Sequence, residues 1–331
     1  MMIECAYHMT STYDTIVYPL LSSPHLILSC ITRHTFTPTN LNHSILHRLR
    51  NNDTDLRRII FCSRDLGSKG TLNLSEALRY NTNLTALDIS SNSIGLNGIK
   101  AIAELLQYQT MMSTESANDN NDNDNVVGGI KTLILSGNNL RNDQGMKVMA
   151  HALENSLLEH LWLDENSISA AGLNMLARGL KNNTRLHRLH LSHNTFQSLS
   201  PLISCTFDKS SFNSVADSNH SLKHVFLNCG YAYECEELES IMKINRLGAV
   251  KAKRRKIALY IEEDIGRLLN LDIDTTLLPN ILSIIGQQGN TSTMLRLMQN
   301  LPSILYCQGI NRESNDVWAN DDDAMDIEYL S

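Results

Sequence analysis

The sequence predicts an α/β solenoid: short parallel strands, each followed by a helix, stacked side by side. Three observations carry this. A phrase returns with almost no drift, with strides of 28 residues from Leu56 to Leu84, Ile130 to Leu158 and Leu158 to Leu186, and a further copy opening at Leu222. Each copy begins with apolar residues two apart, the period of a strand. Each then switches to apolar residues at i, i+3, i+4 and i+7, the period of a helix. A repeat of this length marks an array in which every unit buries its apolar face only against its neighbours.

The strand half reads L-x-x-L-x-L-x-x-N-x-L. Ile59/Phe61, Leu87/Ile89, Leu133/Leu135, Leu161/Leu163, Leu189/Leu191 and Val225/Leu227 supply the inward pairs. Asn92, Asn138, Asn166 and Asn194 follow three residues later. A buried Asn at that point satisfies turning backbone groups, and stacked copies can bond one another.

The helix half is written by Ile99, Ile102, Ala103 and Leu106, then by Met146, Met149, Ala150 and Leu153, then by Leu173, Leu176, Ala177 and Leu180. The alanine lets helix approach strand closely. Gly98, Gly145 and Gly172 precede each stripe and suit a tight entry turn. Asn81, Asn155 and Asn183 follow it, where Asn tolerates a left-handed cap.

These residues resemble leucine-rich repeats of the ribonuclease-inhibitor-like type, over about residues 56–245. The resemblance implies a horseshoe with parallel strands on the concave side and helices on the convex side. It implies protein binding along the concave face. Some members are GTPase activators for a nuclear-transport GTPase, and some are sensor arms of immune receptors. The motif fixes the fold and leaves the partner open.

The copies depart from the pattern at both ends and in two strides. Arg64 and Gly230 stand where Asn is expected, as suits atypical terminal repeats. His25–Ser29 followed by Leu41, Ile45, Leu46 and Leu49 reads as an earlier degenerate unit. The stride from Leu84 to Ile130 is 46 residues. Its surplus, near 112–129, includes NDNNDNDN and is expected to be a disordered loop. The stride from Leu186 to Leu222 is also long, and Pro201 weakens its helix. The expected organisation is an unassigned segment 1–22, a solenoid 23–248, a helical cap 249–310 and an acidic disordered tail 311–331.

Composition narrows the function classes. A net charge of −7 argues against a general nucleic-acid binder. No apolar run reaches the 18 residues a spanning helix needs. Seven cysteines at scattered spacings argue against a disulfide framework and for a reducing compartment. The expected location is therefore cytoplasmic, with the basic run Lys251, Lys253, Arg254, Arg255 and Lys256 admitting a nuclear signal. A solvated helix face is the plainer account of that run.

Strand alternation names the residues facing the concave side. The middle column reads Ile60, Asp88, Ile134, Trp162, His190 and Phe226. The column before it reads Arg58, Ala86, Thr132, His160, Arg188 and His224, and the column after it includes Asp164. An exposed Trp and Phe two repeats apart, about 10 Å given a strand spacing of about 4.8 Å, would fit a partner helix or loop. Aromatic and Arg side chains are the common binding hot spots. The expected partner site is Trp162, Phe226, His190, Arg188, His160, His224, Asp164 and Ile134, with Trp162→Ala losing the partner. Scattered exposed apolar residues on an ordinary surface are the plain alternative.

No enzyme constellation emerges: no P-loop, no G-x-G-x-x-G and no H-E-x-x-H. His190 falls in a different column from His160 and His224, which argues against a metal. No cofactor is expected. Asp164 and Glu165 read as an exposed strand edge. The expectation is a noncatalytic scaffold or adaptor binding a protein partner, with regulation of a small GTPase as the second reading. An exported ectodomain is the third.

Overall fold

The computed structural model describes residues 43–118, 128–141, 143–228, 232–263, 279 and 281–283. The strand expected at 25–29, the acidic tail, and most of the apolar stripes expected after residue 256 lie outside them. The chain divides into two compact units, 1–256 and 257–331. The first contains the sheet.

Helix α1 (His43–Arg50) precedes strand β1 (Arg58–Ile60). Then follow α2 (Gly67–Leu78), β2 (Ala86–Asp88), α3 (Gly95–Asn118), β3 (Thr132–Ile134), α4 (Asp143–Leu153), β4 (His160–Trp162), α5 (Ala170–Lys181) and β5 (Arg188–His190). Two short helices, α6 (Ser200–Thr206) and α7 (Phe212–Ala216), lead to β6 (His224–Phe226). Helices α8 (Ala232–Asn245) and α9 (Ala249–Glu263) follow β6. The six strands form one parallel sheet in chain order. Every crossover carries the chain through a helix, as parallel pairing requires. Helices pack 8–10 Å apart and strands about 4.8 Å, so the strand side is the inner side of the stack.

The inward pairs of β1–β5 make the core, whereas Val225 and Leu227 of the last pair are only half-buried. Ile59, Leu87, Leu133, Leu161 and Leu189 are at most 1% exposed, as are Ile99, Met146 and Leu173 opposite them on the helices. Ile45, Leu46 and Leu49 are buried on α1, so that helix does pack as a unit preceding the first full repeat.

Asparagine stitches one repeat to the next. Asn138 Nδ2 donates to Ile89 O in the preceding repeat and to Leu135 O in its own, while its backbone N–H donates to Asn166 Oδ1. Asn92 N donates to Asn138 Oδ1, and Asn166 N to Asn194 Oδ1. The first repeat needs no Asn at position 64, because Asn92 Oδ1 accepts from Arg64 N and Leu66 N. The flanking residues explain the need. Ser91 and Ser93, Gly137 and Asn139, and Glu165 and Ser167 all have positive φ, between 52° and 68°. Two left-handed residues around each Asn turn the backbone amides away from any ladder, and the side chain collects them.

A second asparagine line runs along the helix-to-strand turns, and here the sequence reading needs correction. Asn81 and Asn183 are not left-handed caps; their φ angles are not among the positive ones. Both are buried, and they donate to carbonyls of the preceding repeat, Leu49 O and Leu153 O. Asn219 and Asn245 continue the line. In the stretched repeat Gln109 takes the place, donating to Leu78 O and Asn81 O and accepting from Ile130 N. Asn155 does not join. That turn is one residue shorter, so Ser156 occupies the buried rung and Asn155 is exposed. The Ser156 hydroxyl has no hydrogen-bond partner.

The glycines of the helix starts also act differently from expectation. Gly98, Gly145 and Gly172 lie inside the helices, where a Cβ would stand 2.9–3.2 Å from Ile94, Ile99 and Ile168 or Met146. Close packing requires them, not a tight turn: against the residue four before in the same unit at Gly98 and Gly172, and against the neighbouring helix at Gly145. The positive-φ glycines among the described residues are Gly67 and Gly95, at the helix starts, Gly137 and Gly248. The insertion is likewise helical further than expected. Helix α3 continues to Asn118, since residues 107–118 contain no Gly or Pro to stop it. Residues 119–127 lie outside the described ones.

Candidate functional site

The strand register lays out three rows across β1–β6. Arg58, Ala86, Thr132, His160, Arg188 and His224 are paired in sequence, as are Ile60, Asp88, Ile134, Trp162, His190 and Phe226. The candidate residues therefore do converge on one face, centred on β4–β6. Their burial differs from expectation.

Trp162 is not an exposed aromatic: it is 1% exposed. His190 does not stand in an open slot between Trp162 and Phe226. It fills the slot. Its ring stacks on the indole with centroids 4.5 Å apart and on Phe226 at 4.1 Å, with both interplanar angles at 15°. In-register parallel strands bring side chains of one row to about 4.8 Å, close to the spacing of offset-stacked rings. Three flat side chains in one row therefore hide one another's faces. His160 lies tilted against the indole at 6.1 Å, and His224 parallel to Phe226 at 6.1 Å.

Asp164 is the second correction. It does not face Arg188 as a free carboxylate. It is buried, accepts from Ser192 N at 2.7 Å and from Ser136 Oγ at 3.3 Å, and so ties three repeats together. Nor do Asp164 and Glu165 form an exposed pair; Glu165 alone is exposed. What remains accessible is half-buried: Ile134, His160, Arg188, His224 and Phe226.

The electrostatics follow from this burial. Desolvation holds the His190 imidazole down at about 3, aided by the positive charge of Arg188. Burial also lowers His160, with Arg188 next, and lowers His224, with Arg246 next. All three are neutral at pH 7. The neighbouring Asp88 is raised by desolvation, although it accepts from Ser90 N and Ser90 Oγ. The face is thus an aromatic and imidazole strip with the charge of Arg188 at its centre. Among the described residues, no group of three or more His, Cys, Asp or Glu side chains is placed to hold a metal ion. No helix among them is long and apolar enough to cross a membrane.

A family model described as Leucine Rich repeat matches residues 80–103, the second strand–helix unit. The chain is a leucine-rich-repeat protein. No curated protein shows significant sequence similarity to it. Two solved structures are similar to this leucine-rich-repeat chain. Leiomodin-1 actin-binding site 2 is 16% identical, covers 66% of this chain and 95% of its own, and has a TM-score of 0.36. The tropomodulin C-terminal domain of Caenorhabditis elegans is 12% identical, with 62% and 92% covered and a TM-score of 0.38. At those values neither adds to the fold assignment, which the register and the matched repeat carry.

Two features escaped the sequence reading. Lys256 belongs to the basic run yet is fully buried. Its ammonium donates to Asn219 O at 3.0 Å and to Thr206 O, and meets His220 Nδ1 at 3.2 Å. Burial pushes it down to about 7, and pushes the His220 imidazole to about 4 and the Cys205 thiol up to about 12. The signal was present in the helical spacing, which puts Lys256 beside Ala252 on the buried face of α9. The second feature is Cys235, which is disulfide-bonded. The scattered cysteine spacing did not announce it. Cys62 and Cys205 are free.

Proposed function

We propose that this leucine-rich-repeat chain, of the ribonuclease-inhibitor-like type, recognises a protein partner on the strand face of β4–β6, as a noncatalytic scaffold or adaptor. One observation supports the reading above the others: the register brings Arg188, His160, His224 and Phe226, all half-buried, onto one continuous face over a rigid ring stack. Aromatic and Arg side chains on a pre-formed surface lose little freedom on binding, which favours recognition there.

Burial changes how the site is tested. Trp162 is a core residue, so its removal mixes folding with binding. The informative variant is Arg188→Ala/Phe226→Ala, compared with wild type by affinity capture and mass spectrometry after matching thermal unfolding. A partner lost only from the variant supports the strand face. A partner kept equally by both moves recognition elsewhere. A GTPase among the lost partners, with faster phosphate release on addition of the chain, would turn the reading to GTPase regulation.

A further inference from the structure

The strand face of β4–β6 carries a cation, Arg188, whose neighbouring carboxylates are turned to other partners. Among the described residues, three of its ring nitrogens are buried with no hydrogen-bond partner: Trp162 Nε1, His160 Nδ1 and His190 Nε2. An indole N–H can only donate, and a neutral imidazole can offer either nitrogen as a donor by choice of tautomer. Arg188 is paired in register with His160 on one side and His224 on the other. Among the described residues its guanidinium makes no hydrogen bond and no ion pair.

The nearby carboxylates are already engaged. Asp164 accepts from Ser192 N and Ser136 Oγ. Glu159 pairs with Lys131 at 3.1 Å. Asp88, two strands away, accepts from Ser90. A planar fork of five donors, with the nearby carboxylates already engaged, is complementary to a carboxylate.

We infer that the partner of this face presents an acidic side chain, Asp or Glu, from a segment lying across β4–β6. The inference rests on the strand-face reading above and names the chemistry of its partner. Arg188 receives the carboxylate. His160 and His224 flank it in the same row. Phe226 carries the apolar part of the segment.

The test uses the full chain and a displayed library of random peptides. Peptides enriched by wild type are then synthesised with each Asp or Glu replaced by Asn or Gln. The expected result is enrichment of acidic peptides, with at least tenfold weaker binding after amide replacement, and the same loss with Arg188→Gln. Arg188→Lys keeps the charge without the fork and is expected to bind with intermediate affinity. Thermal midpoints of both variants show whether they fold. If amide replacement and Arg188→Gln leave affinity unchanged while Phe226→Ala weakens it, the carboxylate inference is overturned and strand-face recognition stands. Insensitivity to all three changes, or no enrichment at all, overturns both. Loss on amidating only the peptide C-terminus replaces the side chain with a terminal carboxylate and also overturns it.

Discussion

The indole of Trp162 lies nearly flat on the imidazole of His190, with centroids 4.5 Å apart and planes 15° from parallel. Both belong to the row that points away from the helices, yet Trp162 is 1% exposed and His190 7%. Trp162→Ala is therefore expected to cost stability, about 3–5 kcal/mol as for a buried aromatic. Urea denaturation checks this. A change under about 1 kcal/mol would show that the ring is not part of the packed structure.

The asparagine line makes an opposite pair of expectations. Asn183 is buried, donates to Leu153 O, and accepts from Arg185 N and Leu186 N. Asn183→Ala strands those groups and is expected to cost roughly 2–4 kcal/mol. Ser156 occupies the equivalent rung with no partner for its hydroxyl. Ser156→Ala removes a buried unpaired group and is expected to be neutral or stabilising, by up to about 1 kcal/mol. Denaturant midpoints of the two variants, measured side by side, decide it.

Gly179 gives a sign test of helix packing. At an open helix position, Gly→Ala stabilises by about 1 kcal/mol. Here a Cβ would stand 2.1 Å from Ala150 O on α4. Gly179→Ala is expected to destabilise by about 1–3 kcal/mol as the two helices are forced apart. Thermal unfolding of the single variant reads the sign directly.

The buried titratable groups set a pH dependence. His190 has a folded value of about 3 and His220 about 4, against about 6.5 in the unfolded chain. As pH falls below 6.5 the unfolded chain takes up protons that the folded chain refuses. Stability present above pH 6.5 is thus lost progressively toward pH 3. His190→Phe keeps a stacking ring and removes one of these titrations, so its denaturant midpoint should fall less steeply between pH 6.5 and 4. Lys256 has the same sign in a higher window, with a folded value of about 7 against about 10.4 unfolded. Stability should rise from pH 7 toward about 8.5, above which the raised Cys205 thiol acts in the opposite direction, and Lys256→Met should flatten that rise.

The architecture was legible because period and burial coincide. Leu87, Leu133 and Leu161 could be placed on the inner side of a strand from spacing alone, and the sheet register pairs them as expected. The row membership of Trp162, His190 and Phe226 was legible for the same reason. Their exposure was not. Alternation assigns a side chain to a face but says nothing of what its row neighbours do, and three flat rings at strand spacing cover one another. Asn155 shows a second limit. The 28-residue stride holds across its repeat, but the loop before the helix is one residue longer and the turn after it one shorter, so the rung passes to Ser156. Equal strides conceal compensating shifts. The burial of Lys256 was hidden differently, since a run of five basic residues reads as solvated until each is placed on its helix face.

Hydroxyl-radical footprinting of the chain, free and bound to a captured partner, tests the central claim most directly. The expected result is protection of Phe226, His224 and His160 on binding, with Trp162 unreactive in both states and Tyr80 and Met111 on the helix side unchanged. Protection confined to Tyr80, Met111 and their helical neighbours, with Phe226 and His224 unaltered, would contradict recognition on the strand face.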